Sequence, residues 1–202
     1  MSLTAGVVAV QGDVSEHADA VVRAGAAHGT SIDVREIRTD GIVPDCDLLL
    51  LPGGESTTIS RLIRREGIAP EIEAHVAAGK PVLATCAGLI VSARDANDDR
   101  VDELGLLDVS VERNAFGRQV DSFEAPLPVA GLDEPFHAVF IRAPVIESVG
   151  NAEVIAEWDG RPVAVRDGPV LGTAFHPELT DDVRLHRLAF FDHPETARKA
   201  SQ

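Results

Sequence analysis

Apolar residues in the first half of the chain fall into short blocks that alternate between strand-like runs and helix-like spacing. Leu3–Val10 reads as a strand and Gln11-Gly12 as the turn after it, with Asp13 set to N-cap a helix and Glu16 as its capping-box partner. Val14, Ala18, Val21, Val22 and Gly25 fall on one face of that helix. A second strand is expected over Ile32–Ile37. The run Leu48-Leu49-Leu50-Leu51 is apolar on both faces, which suits a central parallel strand covered by helices. After Pro52-Gly53-Gly54, Ser56 or Thr57 is placed to cap a helix carrying Ile59, Leu62 and Ile63, and a further helix over Ala69–Ala78 ends at Gly79. Pro81–Thr85 is another short buried strand, broken at Cys86 and followed by a helix from Ala87.

This βαβαβα order predicts a right-handed, doubly wound sheet. The second half changes character. Strand-like runs at Leu107–Arg113, Ser122–Pro126, Ala138–Arg142, Glu153–Trp158, Val163–Arg166 and Val170–Phe175 are punctuated by proline and glycine. They are expected to extend the sheet and add antiparallel strands at its edge. The fold class is therefore α/β: a doubly wound, mostly parallel sheet flanked by helices, with additional antiparallel edge strands. One domain is expected over residues 1–193, with 194–202 as a disordered tail.

Charge narrows the function. Eighteen Lys and Arg against 33 Asp and Glu leave a net charge of −15, which repels nucleic acid phosphates and anionic lipid surfaces. Neither nucleic acid nor membrane is expected as a partner. The acids are scattered, as in Asp45, Asp47, Asp98, Asp99, Asp102 and Glu103, so they read as solvated loops and helix ends, either of an ordinary acidic enzyme or of one suited to a salt-rich cytoplasm. Two cysteines are too few for a disulfide framework, no charged leader precedes Val7–Val10, and no apolar run approaches the ~20 residues of a membrane span. A cytoplasmic location is expected. Without a Cys-x-x-Cys or His-x-x-x-His ligand pair, neither metal nor cofactor is expected.

Three features carry chemistry. Cys86 sits where a buried strand turns abruptly into a helix, a setting that lowers a thiol pKa and points free N–H groups at a developing oxyanion. The alternative for such a cysteine is a small buried hydrophobe, which is the reading kept for Cys46. His176-Pro177-Glu178 follows the strand Val170–Phe175, so His176 should emerge at the same carboxyl edge as Cys86, with Glu178 close enough to fix the imidazole tautomer. On its own that tripeptide is weak evidence and reads better as a cap or a surface role. Pro52-Gly53-Gly54-Glu55-Ser56 brings unhindered backbone amides to that edge, and it lacks both the Walker lysine and a dinucleotide fingerprint. Nucleophile, base with orienting carboxylate, and oxyanion donors at one edge point to acyl transfer or hydrolysis.

With these motifs in hand, the chain resembles the triad-type, class I glutamine amidotransferases, which have a flavodoxin-like sheet, and within them the glutaminase subunits of pyridoxal 5′-phosphate synthase. The resemblance rests on the blocks Val10–His17, Leu51–Thr58, Thr85–Ile90, Val111–Gln119, Phe140–Pro144 and Phe175–Thr180, which together run from residue 10 to 180. It implies hydrolysis of L-glutamine through a thioester on Cys86, with His176 and Glu178 completing the triad. The ammonia would be channelled to a synthase subunit, within a large hetero-oligomer, that builds pyridoxal 5′-phosphate from ribose 5-phosphate and glyceraldehyde 3-phosphate. It further implies that Gly53, Gly54, Glu55, Arg113, Ile141 and Arg142 hold the glutamine. Gln11, Gly54 and Ala87 would form the oxyanion and activation elements, Gln11 rearranging when the synthase subunit binds. His17 would then lie near the partner interface, a solvated helix histidine being the simpler reading. A glutaminase subunit serving imidazole-glycerol-phosphate or purine synthesis would share the triad, and a non-catalytic regulator would share the fold.

Overall fold

The computed structural model of the chain describes residues 2–12, 14–113 and 122–192. Strand β1 (Ser2–Val8) leads through the Gln11-Gly12 turn into helix α1 (Val14–Ala27), then β2 (Ser31–Ile37) and β3 (Leu48–Leu51). Helices α2 (Ser56–Arg65) and α3 (Ile68–Ala77) precede β4 (Val82–Thr85), which breaks at Cys86 into α4 (Ala87–Ser92). The expected alternation is present, and Leu48–Leu51 and Val82–Thr85 are buried along their whole length. The Asp13 cap lies outside the described residues.

The remaining elements are β5 (Ala93–Asp95), β6 (Leu107–Glu112), β7 (Ser122–Leu127), β8 (Phe136–Ile141), β9 (Val145–Val149), β10 (Glu153–Trp158), β11 (Arg161–Asp167), β12 (Val170–Thr173) and α5 (Arg184–Phe190). A seven-stranded sheet runs in the order β10-β11-β12-β4-β3-β1-β2. Its five strands from β12 to β2 are parallel, and β11 and β10 are antiparallel at one edge, as expected of the fold class. Other late strands do not join it. β5, β6 and β9 form a separate three-stranded sheet, and β7 pairs with β8 alone. The hairpin is tied down by aromatic packing: Phe140 stacks on Phe123 at a centroid distance of 4.5 Å and meets Phe175 at 5.5 Å.

Two local expectations are corrected. On α1 Val21 and Gly25 are buried and Val14 and Ala18 pack against the core as expected, but Val22 is 43% exposed. His17, Ala20 and Ala24 complete the buried face, and a histidine and two alanines give an apolar pattern little to mark them by. On α2 the N-cap is Glu55, whose carboxylate accepts from Thr57 N and Thr58 N; neither Ser56 nor Thr57 caps it.

Burial also sets an acid limit. His75 on α3 is 4% exposed, and its pKa falls to about 4 because burial penalises the imidazolium more than the contact of Nε2 with the Pro81 carbonyl at 3.3 Å favours it. The unfolded chain therefore binds the extra proton between pH 6.5 and 4, and folded-state stability is lost as pH falls through that window. The expected loss is roughly 3 kcal/mol by pH 4. Urea unfolding at pH 7 and pH 4.5 checks it, with His75→Gln flattening the difference between the two.

Candidate active site

Parallel pairing brings the chemistry to one edge. Thr173 of β12 lies opposite Thr85 of β4, so Cys86 and His176 leave neighbouring strands at the same end. Leu51 of β3 lies opposite Ala84 of β4, which sets the Gly53-Gly54 loop on the other side of Cys86. Cys86 has φ 50° and ψ −105°, a conformation that a non-glycine residue adopts only under constraint. The constraints are visible. Its N–H donates to the Thr173 carbonyl at 2.8 Å, its carbonyl accepts from Ile90 N at 3.2 Å, and the next turn needs Gly88 because a Cβ there would meet the Leu51 backbone. This bend sets the buried Cys86 at the start of a helix whose first amide, that of Ala87, has no partner within the helix.

His176 is 4% exposed and is fixed from two sides. Its backbone N–H donates to Val139 of β8 at 2.9 Å, and its Nδ1 lies 2.6 Å from Glu178 Oε1. Nε2 is buried and has no partner of full hydrogen-bond geometry among the described residues, and Cys86 is the group on the thiol side that acts on the ring. Burial alone would lower the imidazole pKa, but hydrogen bonding to Cys86 and Glu178 and their charges outweigh it and push the pKa up to about 10. For Glu178, burial acts to raise the pKa, yet hydrogen bonds from His17 and His176 hold the carboxyl well below the usual carboxylate range. An imidazole made more basic by the carboxylate behind it, and set to take the proton of a neighbouring thiol, is the arrangement that nucleophilic acyl transfer requires.

A cavity of about 310 Å³ opens at this point. Of the predicted residues, Cys86, His176, Gly54, Glu55, Ala87, Arg113, Ile141 and Arg142 line it. Gly53 packs beneath His176, where a Cβ would stand 2.8 Å from the ring Cε1. Gln11 stands beside the loop, its Oε1 accepting from Glu55 N at 2.9 Å, and the Gly12 turn presses on the Gly53 carbonyl. Glu55 is more occupied than the sequence indicates. Besides capping α2 it accepts from the hydroxyl of Thr58 at 2.8 Å and pairs with Arg113 at 2.9 Å, and its pKa falls to about 2: burial opposes that shift, and the Thr57 and Thr58 hydrogen bonds prevail. Arg113 is shared with Asp98 at 2.7 Å. Among the described residues Arg142, at φ 45°, has no such ion pair. Asn114 to Gln119 of the quoted block lie outside the described residues.

Residues 7–193 match the model of the SNO glutamine amidotransferase family. The chain belongs to that family. It is 74% identical over 199 residues, 98% of each chain, to the pyridoxal 5′-phosphate synthase subunit PdxT of Halobacterium salinarum. Identity to the Haloarcula marismortui protein of the same name is 75% over 197 residues, which is 97% of this chain and 100% of that one. A crystal structure of a glutamine amidotransferase superposes with a TM-score of 0.82 at 46% identity, over 92% of this chain and 96% of that one. The PurLQS structure from Thermotoga maritima, at 21% identity and a TM-score of 0.62 over 88% of this chain and 89% of that one, shares the fold alone.

Within this SNO-family chain three residues near the chemistry were not singled out as site residues. His17 is neither solvated nor at a surface: it is fully buried, 3.4 Å from Glu178 Oε1 and 3.1 Å from Thr85 Oγ1. His186 on α5 is buried against it, with ring centroids 6.4 Å apart. Asp98 orients Arg113. Only His17 left a signal, since it sits at helical spacing with Ala20, Val21 and Ala24. Cys46, by contrast, is wholly buried, its Sγ 3.4 Å from the Ile42 carbonyl, and burial pushes its pKa up, the properties of an inert core thiol. Among the described residues no helix is long and apolar enough to cross a membrane.

Proposed function

We propose that the chain is the glutaminase subunit of a pyridoxal 5′-phosphate synthase, hydrolysing L-glutamine to L-glutamate and ammonia in a single domain over residues 1–193. The observation that carries the chemistry is the juxtaposition of Cys86, at its constrained elbow, with the buried His176–Glu178 pair that follows the neighbouring strand. Family membership and the two PdxT relatives support the pathway, and they disfavour the imidazole-glycerol-phosphate and purine branches.

The mechanism follows from the geometry. Cys86 gives its proton to His176 Nε2 and attacks the side-chain carbonyl carbon of glutamine. Negative charge on the carbonyl oxygen is met by the backbone amides of Gly54 and Ala87. Collapse breaks the C–N bond, His176 hands its proton to the departing nitrogen, and ammonia leaves behind a thioester. Neutral His176 then takes a proton from water, whose oxygen attacks the thioester carbon and releases glutamate and the thiol. Because Arg113 is held by Glu55 and Asp98, Arg142 is the cation open to the α-carboxylate of the substrate. The Gln11 turn, which touches the Gly53-Gly54 loop, is the segment through which a bound synthase subunit would act.

Glutamate release by the purified chain, alone and with its synthase subunit, at low and high salt, tests this reading. Turnover is expected to rise at least about tenfold with the synthase subunit. It should also rise with salt, because screening relieves repulsion within a chain of net charge −15. Absence of glutaminase activity under all four conditions removes the proposal.

A further inference from the structure

Glu178 is a carboxylate with unusually few partners. Its Oε2 is buried with none among the described residues, and its Oε1 is approached by two imidazoles, His176 Nδ1 at 2.6 Å and His17 Nε2 at 3.4 Å. The second comes from α1, an element that contributes nothing to the cavity. The same Nε2 lies 3.1 Å from the hydroxyl of Thr85, the residue before the nucleophile. His17 Nδ1 and both nitrogens of His186 have no hydrogen-bond partner among the described residues, so nothing else polar in this cluster bonds to the carboxylate.

That scarcity matters during turnover. While His176 is an imidazolium, Glu178 is paired with a full charge. Once His176 has passed its proton to the leaving nitrogen, the carboxylate is left buried beside a neutral ring, a costly arrangement unless another donor satisfies it. We propose that His17 is a positioning residue of the glutaminase reaction: its Nε2–H holds Glu178 in place and keeps it anionic through the half of the cycle in which His176 is neutral. Because Nε2 also touches Thr85, one side chain of α1 braces both the carboxylate and the end of the strand that presents Cys86. This inference rests on the hydrolytic reading above.

A pH profile gives the discriminating readout. The charged and titratable groups around the cluster are His176, Cys86 at the elbow, His17 and Arg23 from α1, His186 from α5 and Asp182 before it. Hydrogen bonding from His17 lowers the Glu178 pKa, so removing that donor raises it, and the acid limb of the kcat profile moves to higher pH. The alkaline limb stays in place.

The experiment compares wild type, His17→Leu and His17→Gln, each assembled with the synthase subunit, for kcat, KM for glutamine and the pH profile of kcat. His17→Met replaces the leucine variant if that one does not fold. Expected are a kcat about tenfold or more below wild type in the donor-less variant, an unchanged KM, an acid limb displaced upward, and partial rescue of both kcat and the limb by glutamine, which restores an N–H donor. An unshifted acid limb overturns the proposal whatever happens to kcat, and so does equal impairment in the leucine and glutamine variants, which marks a packing role only. If wild type itself hydrolyses no glutamine, the functional reading fails, and this inference with it; an active wild type with unaltered His17 variants removes this inference alone.

Discussion

Cys86→Ala is expected to lower glutamine hydrolysis by at least ~10³-fold while the protein stays folded and still binds its synthase subunit. The loss is large because in the proposed mechanism the sulfur forms the covalent bond, and among the described residues the other polar side chains lining the cavity are Glu55, Ser56, Arg113, Arg142 and His176. The Ser56 hydroxyl is the nearest rival by type, yet it is buried and has no hydrogen-bond partner among the described residues, so none of them is placed as its base. Folding should be spared, because alanine keeps the Cβ and the elbow is held by backbone bonds from Cys86 N to Thr173 and from Ile90 N to the Cys86 carbonyl. A second effect is diagnostic. Cys86 is one of two groups that raise the His176 pKa to about 10, so its removal should bring the imidazole titration down toward its ordinary range, as NMR of the ring would show. Glutamate release within tenfold of wild type would exclude Cys86 as the nucleophile.

How much of this was legible beforehand depends on the kind of residue. Leu48–Leu51 and Val82–Thr85 announce themselves because a parallel strand buried on both faces needs an unbroken apolar run, and the site at their carboxyl ends follows from topology. The His-Pro-Glu and Cys-Ala-Gly signals are specific because both lie immediately after such strands. Elements with weak local patterns stayed hidden. β5 is only three residues long, and α5 starts at Arg184 with Val183 at its N-cap and no side-chain cap, so neither has a boundary that sequence alone would mark. Glu55 shows a further limit. Its charge suits a substrate ammonium, and its neighbours Thr57 and Thr58 make it a helix cap; in the folded chain the carboxylate takes on the second task and pairs with Arg113 as well. His17 was misplaced for the opposite reason, since a histidine on a helix is usually solvated and burial here depends on partners far along the chain, Thr85 and Glu178.

Gly88→Ala is expected to damage stability and catalysis together. A Cβ at this position would fall far inside contact distance of the Leu51 carbonyl oxygen and 2.8 Å from the carbonyl carbon, and these are backbone atoms at the end of β3 that no rotamer change can move. Overpacking of this kind costs up to about 3 kcal/mol, or a melting temperature lower by roughly 6–12 °C for a chain of this size. The only relief is for α4 to shift away from β3, which moves the elbow. Gly53 and Gly54 follow Leu51 after Pro52, so that shift separates Cys86 from the loop proposed to receive the oxyanion, and a displacement near 1 Å is worth on the order of 10² in turnover. Gly79→Ala is the matching control. Its φ of 74° makes alanine uncomfortable, by ~1–2 kcal/mol, but among the described residues nothing lies within 4 Å of the added Cβ, so activity should survive. Thermal melting and glutamate release on the two variants separate the effects. If Gly88→Ala melts early yet keeps its kcat, the contact between α4 and β3 serves packing alone. If both quantities fall while Gly79→Ala loses only stability, close approach at Gly88 is what holds the nucleophile against its oxyanion loop.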